Sequence, residues 1–253
     1  MVNIAGVYFT EVYFEDAVRR IEEHVLDRRP HNVVTANVDF VVIADRDPEF
    51  KKIINTSDAV VADGMPIIWA SRFLGMPLPE RIAGLDLALK FCELSQNKDY
   101  RIYFLGAADS VRIKAMQCLK ARYPGINIAG SYSPPFGQFS KEEEGAIIDK
   151  IRSSSANLLF VCFGARKQQA WIHRHISELG VTAIGVGSFL DFAAGEFMRA
   201  PLWAQRVGLE WLFRFIQNPV RLFKRYFIDD IRFFYIVMMQ KMGMLQGEGR
   251  GKL

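Results

Sequence analysis

The chain has 253 residues, half of them hydrophobic, and a formal net charge of +4, which excludes an intrinsically disordered protein and allows a full buried core. Its three cysteines, Cys92, Cys118 and Cys162, are far apart in apolar runs, which argues against a disulfide framework and predicts core thiols in a reducing compartment. The first residues include Asn3 and Glu11 and lack the continuous apolar run of a signal peptide, so we expect a cytoplasmic protein.

Apolar strands alternate with helices along the first 195 residues. The predicted strands cover residues 33–36, 59–62, 101–105, 126–130, 158–163 and 182–186. The predicted helices cover or begin at residues 14–25, 38–44, 48, 67–74, 85–94, 111–123, 140 and 168–179. This alternation predicts an α/β fold, namely a doubly wound, mostly parallel, Rossmann-like sheet. We expect residues 1–195 to form this core and residues 196–253 to form a helical appendage.

Two of the helix starts carry capping signals. Ser140 and Glu143 have the spacing of a capping box, and Asp47 precedes Pro48 as an N-cap precedes a first-turn proline. The pair Asp45 and Asp47 also has the spacing of some metal-binding aspartates, but the capping interpretation is the stronger one. The sequence therefore predicts no protein-held metal and no cofactor.

Polar residues follow two of the predicted strands. Thr35 and Asn37 end the first strand of the core, and Asp63 follows the second, immediately before Gly64. Ligands of open parallel sheets collect beyond the carboxyl ends of strands, so these residues are expected to line one pocket, with Asp63 as a candidate base. Two structural alternatives stay open. Asp63 could cap the helix that begins near residue 65, and Thr35 and Asn37 could satisfy the helix start at Val38.

Glycines at other strand ends allow a ligand to approach the backbone. They are Gly106, Gly164, Gly185 and Gly187. Helix N-termini behind such glycines favour anions such as a diphosphate, so a nucleotide could bind there. The same glycines also serve ordinary strand-to-helix turns, and neither a dinucleotide fingerprint nor a P-loop is present. The two interpretations are therefore about equally supported.

The positive charge is concentrated at the C-terminus. Residues 199–253 hold 10 Lys and Arg against 4 Asp and Glu, whereas residues 1–198 hold 22 against 24. Aromatic residues are interleaved with these cations, and an apolar stripe at helical spacing is formed by Val220, Phe223, Phe227, Ile231 and Phe234. Such a helix suits an anionic membrane surface, although packing on its own domain or binding of nucleic acid are alternatives. No apolar run is long enough to span a bilayer, and the tail Gly247–Leu253 is expected to be frayed.

Six motifs occur in order along nearly the whole chain, over about residues 4–235. They are TANVDFVVIADRDPEF, ADGMPIIWASRFLGMPLPERIAGLDL, FLGA, FGARKQQAWI, GVGSFLDFAAGEFMRAP and GLEWLFRFIQNPVRLFKRY. Together they closely resemble the bacterial WecG/TagA/CpsF glycosyltransferase family, which makes cell-wall and capsule polymers.

This resemblance implies a metal-independent, inverting transfer of an N-acetylmannosamine-type sugar. The donor would be a UDP-sugar, and the acceptor a polyprenyl-diphosphate-linked N-acetylglucosamine at the inner face of the cell membrane. The enzyme would be cytoplasmic and peripheral, with no nucleic-acid partner, and self-association into a homo-oligomer stays open.

The resemblance also assigns roles to individual residues. Asp63 is the implied base, and Arg81 is implied to hold substrates or the leaving diphosphate. The implied substrate-binding residues are Thr35, Asn37, Gln168, Arg214, Arg221 and either Lys224 or Arg225. A surface ion pair with Glu80 or Asp86 is the alternative for Arg81, and a solvated first-turn position is the alternative for Gln168.

The chain departs from the family pattern at two positions. Arg166 and Gln169 stand where the family usually has Pro and Glu, which bears on donor specificity and not on the fold. A second function from another class is a non-catalytic nucleotide- or nucleic-acid-binding module whose basic tail engages a polyanion. The two functions are distinguished by whether Asp63 is required for turnover.

Overall fold

A computed structural model describes residues 1–244, apart from the side chains of Arg206 and Arg221. The tail Gly247–Leu253, predicted to be frayed, lies outside the described residues. The chain forms two compact units, and each draws on separate stretches of sequence. The first unit contains residues 1–14, 36–82 and the described chain from Arg199 onwards, and the second contains residues 15–35 and 83–198.

The strands are β1 Val2–Ile4, β2 Val7–Phe9, β3 His31–Ala36, β4 Ala59–Ala62, β5 Ile102–Gly106, β6 Ile128–Tyr132, β7 Leu158–Cys162 and β8 Thr182–Gly185. The helices of the first half are α1 Phe14–Asp27, α2 Val38–Arg46, α3 Pro48–Asn55, α4 Met65–Phe73, α5 Gly84–Leu94 and α6 Asp109–Arg122. Those of the second half are α7 Lys141–Ser153, α8 Ala165–Leu179, α9 Phe189–Ala193, α10 Leu202–Arg206, α11 Glu210–Gln217, α12 Pro219–Lys224 and α13 Ile231–Lys241, with a π-helical turn, Arg225–Asp229, before α13.

Strands β3, β5, β6, β7 and β8 form a sheet in the second unit. Within the second unit their order is β3-β8-β7-β5-β6, and each neighbouring pair runs parallel. Every residue of β5, β7 and β8 is buried, as expected for strands covered on both faces. The predicted α/β fold with a parallel sheet is therefore confirmed.

The two faces of this sheet pack different side chains. On one face, Leu105 and Val161 join Trp171 of α8 and Ile151 of α7 in a buried cluster. On the other face, the rings of Phe104, Phe160 and Phe189 lie 5.6 to 6.1 Å apart between centroids. Neighbouring residues of one strand thus face opposite helix layers, which makes the sheet doubly wound.

The first unit includes a hairpin that the sequence reading missed. β1 and β2 pair antiparallel, with Val2 opposite Phe9, around a two-residue turn at Ala5 and Gly6. Both turn residues have positive φ, 52° and 83°, as a type I′ turn requires. Strands of three residues give too short an alternation of apolar and polar positions to be predicted from sequence.

The C-terminal helix α13 is part of the core of this first unit. Its Phe233, Ile236 and Val237 are buried, and Gln240 accepts a hydrogen bond from the backbone N–H of Ala5 at 2.7 Å. Arg232 of the same helix pairs with Asp45 of α2 at 2.7 Å. The predicted division at residues 195 and 196 stays a prediction, because compactness alone groups the C-terminal helices with residues 36–82.

Three details differ from the sequence-based expectations. The helix expected to restart at Pro219 ends at Lys224 and continues as the π-helical turn before α13. Cys118 is exposed on α6, so the expectation of a core thiol holds only for Cys92 and Cys162. The strand expected at residues 126–130 lies two residues later, as β6.

Among the described helices, none has both the length and the apolarity needed to cross a bilayer.

Candidate active site

The carboxyl end of β4 brings three of the predicted site residues together in the first unit. The backbone N–H of Asp63 donates to the carbonyl of Ala36 at 2.9 Å, and Asn37 follows that carbonyl directly. The N–H of Ile82 donates to the carbonyl of Ala62 at 2.8 Å, so Arg81 also lies beside Asp63 along the chain backbone. Asn37, Asp63 and Arg81 are called the strand-end cluster below.

Asp63 does not occupy the N-cap of the following helix. That position belongs to Gly64, whose φ of +134° is a conformation that residues with a Cβ rarely adopt. The helix α4 then begins at Met65 with a proline in its first turn. The capping interpretation of Asp63 is therefore wrong, and its side chain is partly exposed at the end of the strand.

Asn37 occupies the N-cap position of α2 without using its side chain as a cap. Its Oδ1 accepts a hydrogen bond from Nη2 of Arg225 at 3.4 Å. The capping alternative for Asn37 is thus wrong at the level of the side chain. Two predicted substrate-binding residues that are 188 positions apart in sequence meet in the first unit.

Carboxylates surround the Arg225 guanidinium. Its Nη2 lies 3.6 Å from Oδ2 of Asp39, and its Nε lies 3.7 Å from Oδ2 of Asp230. Burial raises the pKa of Asp230 to about 7, against the opposing effect of Arg225 and with smaller upward contributions from Asp39 and Asp229. The Asp230 carboxyl therefore titrates near neutral pH, which is far above the usual range of an aspartate.

Arg81 is held by residues of helices α10 and α11. Its Nη1 pairs with Oε2 of Glu210 at 2.6 Å, and its Nη2 reaches Oε1 of Gln205 at 3.5 Å. Glu210 also lies 3.6 Å from Nε of Arg199, so one carboxylate bridges two arginines. The side chains of Arg81 and Glu210 are only 16% and 22% exposed, which makes a purely solvated ion pair a poor description. Sequence reasoning missed Glu210, because 129 positions separate it from Arg81.

The remaining basic candidates are placed differently. Arg214 lies partly buried on α11, and its charge, with that of Arg225, opposes the rise in pKa that burial causes at Tyr226. Lys224 is exposed at the end of α12. Arg221 lies on α12, but its side chain is outside the described part of the structure. Of the two alternatives Lys224 and Arg225, only Arg225 reaches the strand-end cluster among the described contacts.

Thr35 and Gln168 lie together in the second unit, at the carboxyl end of β8. The Thr35 hydroxyl donates to the carbonyl of Gly185 at 2.8 Å, and Oε1 of Gln168 accepts from the N–H of Gly187 at 3.3 Å. Both side chains are buried, with 4% and 2% exposure, so the solvated alternative for Gln168 is wrong. A Cβ on Gly84 would lie 2.8 Å from Oγ1 of Thr35, so α5 can begin at this distance only with a glycine.

Gln169, one of the two departures from the family pattern, is completely buried. Neither its Nε2 nor its Oε1 has a hydrogen-bond partner among the described residues. A Cβ on Gly185 would come within 2.5 Å of its Nε2. The Gln169 amide, where the family resemblance predicts a carboxylate, thus packs against the end of β8.

The predicted N-cap at Asp47 is confirmed, because its Oδ1 accepts from the N–H of Phe50 at 3.1 Å. Asp45 instead pairs with Arg232. Within residues 1–244, no three His, Cys, Asp or Glu side chains converge as metal ligands would.

Comparison with known proteins places this geometry in context. The sequence profile of the glycosyl transferase WecG/TagA/CpsF family matches residues 2–247. An N-acetylglucosaminyldiphosphoundecaprenol N-acetyl-beta-D-mannosaminyltransferase of Bacillus spizizenii is 32% identical over 216 residues, which cover 84% of this chain and 82% of the relative. A protein of the same name from Staphylococcus aureus is 30% identical over 224 residues, covering 87% and 86%.

Proposed function

The chain belongs to the WecG/TagA/CpsF family of glycosyltransferases, and we propose that it transfers an N-acetylmannosamine-type sugar to a polyprenyl-diphosphate-linked N-acetylglucosamine. The donor is a UDP-sugar, and the transfer inverts the anomeric carbon without a metal. The acceptor and the transferred sugar follow from the names of the relatives, which match the chain over more than four fifths of its length.

The observation that carries this proposal is the strand-end cluster. Two backbone hydrogen bonds, from Asp63 to Ala36 and from Ile82 to Ala62, bring the chain positions of Asn37, Asp63 and Arg81 to one strand end. A rigid strand end is a suitable support for a base, because small errors in its position lower the rate steeply.

Asp63 acts as the general base. An inverting transfer needs one group to take the proton of the acceptor hydroxyl while its oxygen attacks the anomeric carbon from the side opposite UDP. The C–O bond to the UDP phosphate breaks as the new glycosidic bond forms, and the proton passes to the Asp63 carboxylate. One carboxylate suffices, since no covalent intermediate has to form.

Arginines stabilise the leaving group. The UDP phosphate gains negative charge as its bond to the sugar breaks, and guanidinium donors are well suited to phosphate oxygens. We assign this charge to Arg81 of the strand-end cluster and to Arg225, which contacts Asn37, and further charge to Arg214 of α11 and Arg221 of α12. The family resemblance also assigns Thr35 and Gln168 to binding of the nucleotide sugar.

The test of this function is a product analysis. The purified full chain is incubated with a short-chain lipid-diphosphate N-acetylglucosamine and, separately, each of a panel of UDP-sugars. Mass spectrometry is expected to show a product heavier by one N-acetylhexosamine with UDP-N-acetylmannosamine. Absence of any glycosylated acceptor with every donor would contradict the proposal.

Arg81→Gln is expected to lower kcat/KM by roughly 10- to 100-fold, because a charged donor contributes about 1.5–3 kcal/mol to a charged acceptor. Steady-state kinetics on the soluble acceptor would measure this. Arg72→Gln is the matched control, since Arg72 is an exposed arginine on α4 in the same unit. It should leave kcat/KM within twofold.

A second variant separates the role of Arg81 in catalysis from its role in structure. Glu210→Gln removes the ion pair but keeps the guanidinium, so activity should fall less than in Arg81→Gln. Equal losses in both variants, with equal losses of thermal stability, would show that Arg81 acts only through its pair with Glu210.

We also propose that the enzyme is peripheral on the inner face of the cell membrane, with residues 196–253 as the associating appendage. The lipid-linked acceptor named for the relatives and the net charge of +6 from 10 cations and 4 anions in residues 199–253 support this. Self-association stays open.

A further inference from the structure

We propose that Asp230 is a positioning residue for Arg225. Its carboxylate contacts the Arg225 guanidinium before the donor diphosphate binds, and protonation of that carboxylate frees the guanidinium to bind the diphosphate. This inference rests on the proposed function, in which Arg225 meets the leaving diphosphate. It adds a residue to which the family resemblance assigned no role, and it gives donor binding a defined dependence on pH.

The backbone ties the two residues together. The N–H of Asp230 donates to the carbonyl of Arg225 at 2.8 Å, which closes the π-helical turn between α12 and α13. Turns of this kind are rare and frequently mark functional positions. Asp230 itself is only 8% exposed. Water therefore cannot fully hydrate its carboxyl and replace the contact with Arg225.

The side chains of the pair are incompletely satisfied. Nε of Arg225 and Oδ1 of Asp230 are buried and have no hydrogen-bond partner among the described residues. The guanidinium instead lies 3.4 to 3.7 Å from oxygens of Asn37, Asp39 and Asp230. These are long contacts, and a phosphate oxygen could form a shorter and stronger charge-assisted bond with the same group. The observed arrangement therefore fits an arginine whose position is fixed by weak contacts and whose guanidinium can exchange them for a phosphate.

The titration of Asp230 sets the direction of the effect. Burial raises the pKa of this carboxyl to about 7, so it is neutral below that pH and ionised above it. The ionised form attracts Arg225 and competes with the diphosphate. Donor affinity should therefore fall as pH rises through 7.

Other charged groups around Asp230 do not cancel this effect. On α2, Asp39 faces the same guanidinium and raises the pKa of Asp230, as does Asp229 in the π-helical turn. Asp229 lies 3.9 Å from Arg46 of α2. Arg232 on α13 pairs with Asp45, and Tyr226 of the turn has its own pKa raised by burial, so it stays neutral near pH 7.

The experiment measures binding of UDP-N-acetylmannosamine to the full chain by calorimetry between pH 6 and 8.5. The wild-type dissociation constant is expected to rise about two- to fivefold over this range, the scale of a partly exposed ion pair. Asp230→Asn should abolish this slope. In buffers of different ionisation heat at pH 7.5, wild type should take up a fraction of a proton on binding, because Asp230 loses its cation, and the variant should take up none.

Asp229→Asn is the matched control, since it removes a neighbouring carboxylate that is 36% exposed and pairs with Arg46. It should keep a pH dependence of wild-type size, with the midpoint moved slightly to lower pH because Asp229 contributes to the raised pKa of Asp230. Thermal unfolding checks the protonation state. Stability contributed by neutral Asp230 is present at low pH and lost as pH rises through about 7, so Asp230→Asn should lose less stability than wild type between pH 6 and 8.5.

If Asp230→Asn does not fold, Arg225→Gln tests the same contact by changing its other partner. It should weaken binding at every pH and remove the slope. A wild-type slope that persists in either folded variant would overturn the role of Asp230. Wild-type binding that does not change with pH would overturn it as well while leaving the proposed function intact, whereas absence of donor binding at every pH would contradict both.

Discussion

Asp63→Asn is expected to lower turnover by about 10²- to 10⁴-fold while the chain stays folded and still binds the UDP-sugar. The amide cannot accept the acceptor proton at neutral pH, but it has nearly the same size and can keep polar contacts. Because Asp63 is not the N-cap of α4, its substitution should not remove a cap. Single-turnover kinetics with a soluble lipid-diphosphate acceptor would measure the loss, and calorimetry would measure donor binding.

Asp58→Asn provides the matched control for this experiment. Asp58 is exposed and immediately precedes β4, whereas Asp63 immediately follows the same strand. Both substitutions thus remove one carboxylate beside one strand, but at opposite ends. A normal rate in Asp63→Asn would reject the base assignment, and a comparable loss in Asp58→Asn would point to a general effect on the strand.

Local patterns in the sequence were sufficient to place most of the elements around the site. The strand Ala59–Ala62 has the predicted bounds, and the capping box predicted at Ser140 and Glu143 forms. These features depend on the periodicity of hydrophobic residues and on capping residues a few positions away, and both are visible in the sequence itself. The hairpin at Ala5 and Gly6 was missed because its turn depends on two positive φ angles, one of them at an alanine.

Contacts between distant residues could not be predicted in the same way. Glu80 and Asp86 are the ion-pair partners that the sequence offers Arg81 as an alternative to substrate, and neither predicts the pair of Arg81 with Glu210. Asn37 likewise accepts from Arg225, which lies 188 positions away in sequence. A charged side chain has many partners that are equally compatible with its local sequence. Which of them it meets depends on the packing of whole elements, and here on the packing of the C-terminal helices within the first unit.

The π-helical turn illustrates the same limit on a smaller scale. The apolar stripe through Val220, Phe227 and Phe234 predicted one continuous helix, and the extra residue of the turn shifts the faces of α12 and α13 relative to that pattern. As a result, Phe233, Ile236 and Val237 are buried, whereas Phe234 is 60% exposed. The spacing of apolar residues therefore identifies an apolar segment, but which of its side chains are buried also depends on the π-helical turn.

The exposed apolar side chains of the C-terminal helices support the proposed membrane contact. Among the residues from 202 to 235, those more than half exposed are Leu202, Trp203, Val207, Ile216, Val220, Phe223, Ile228, Ile231, Phe234 and Tyr235. Exposed apolar surface of this extent on one segment usually marks an interaction site. With the local excess of cations, an anionic lipid surface is the partner that satisfies both features.

Substitution of Ile216, Val220 and Phe223 by Glu is expected to lower vesicle affinity by about 100-fold or more, because burial of each apolar side chain contributes up to roughly 1.5–3 kcal/mol. These side chains are 66%, 93% and 54% exposed, so the folded unit should tolerate the change. Deletion of residues 196–253 would be a less selective test, since it also removes the buried side chains of α13. Co-sedimentation with vesicles of phosphatidylglycerol and phosphatidylcholine would measure binding.

The control is a triple Glu substitution at Leu26, Ile113 and Phe136, which are 70%, 50% and 100% exposed in the second unit. It adds the same charge and removes similar apolar surface, but it should leave vesicle binding unchanged.

Activity measurements on two forms of the acceptor separate an effect on membrane contact from an effect on catalysis. The variant at Ile216, Val220 and Phe223 should turn over a short soluble acceptor at a near-normal rate and lose activity only on acceptor held in vesicles. Undiminished pelleting of this variant, or an equal loss in the control, would remove the C-terminal helices as the membrane-binding surface.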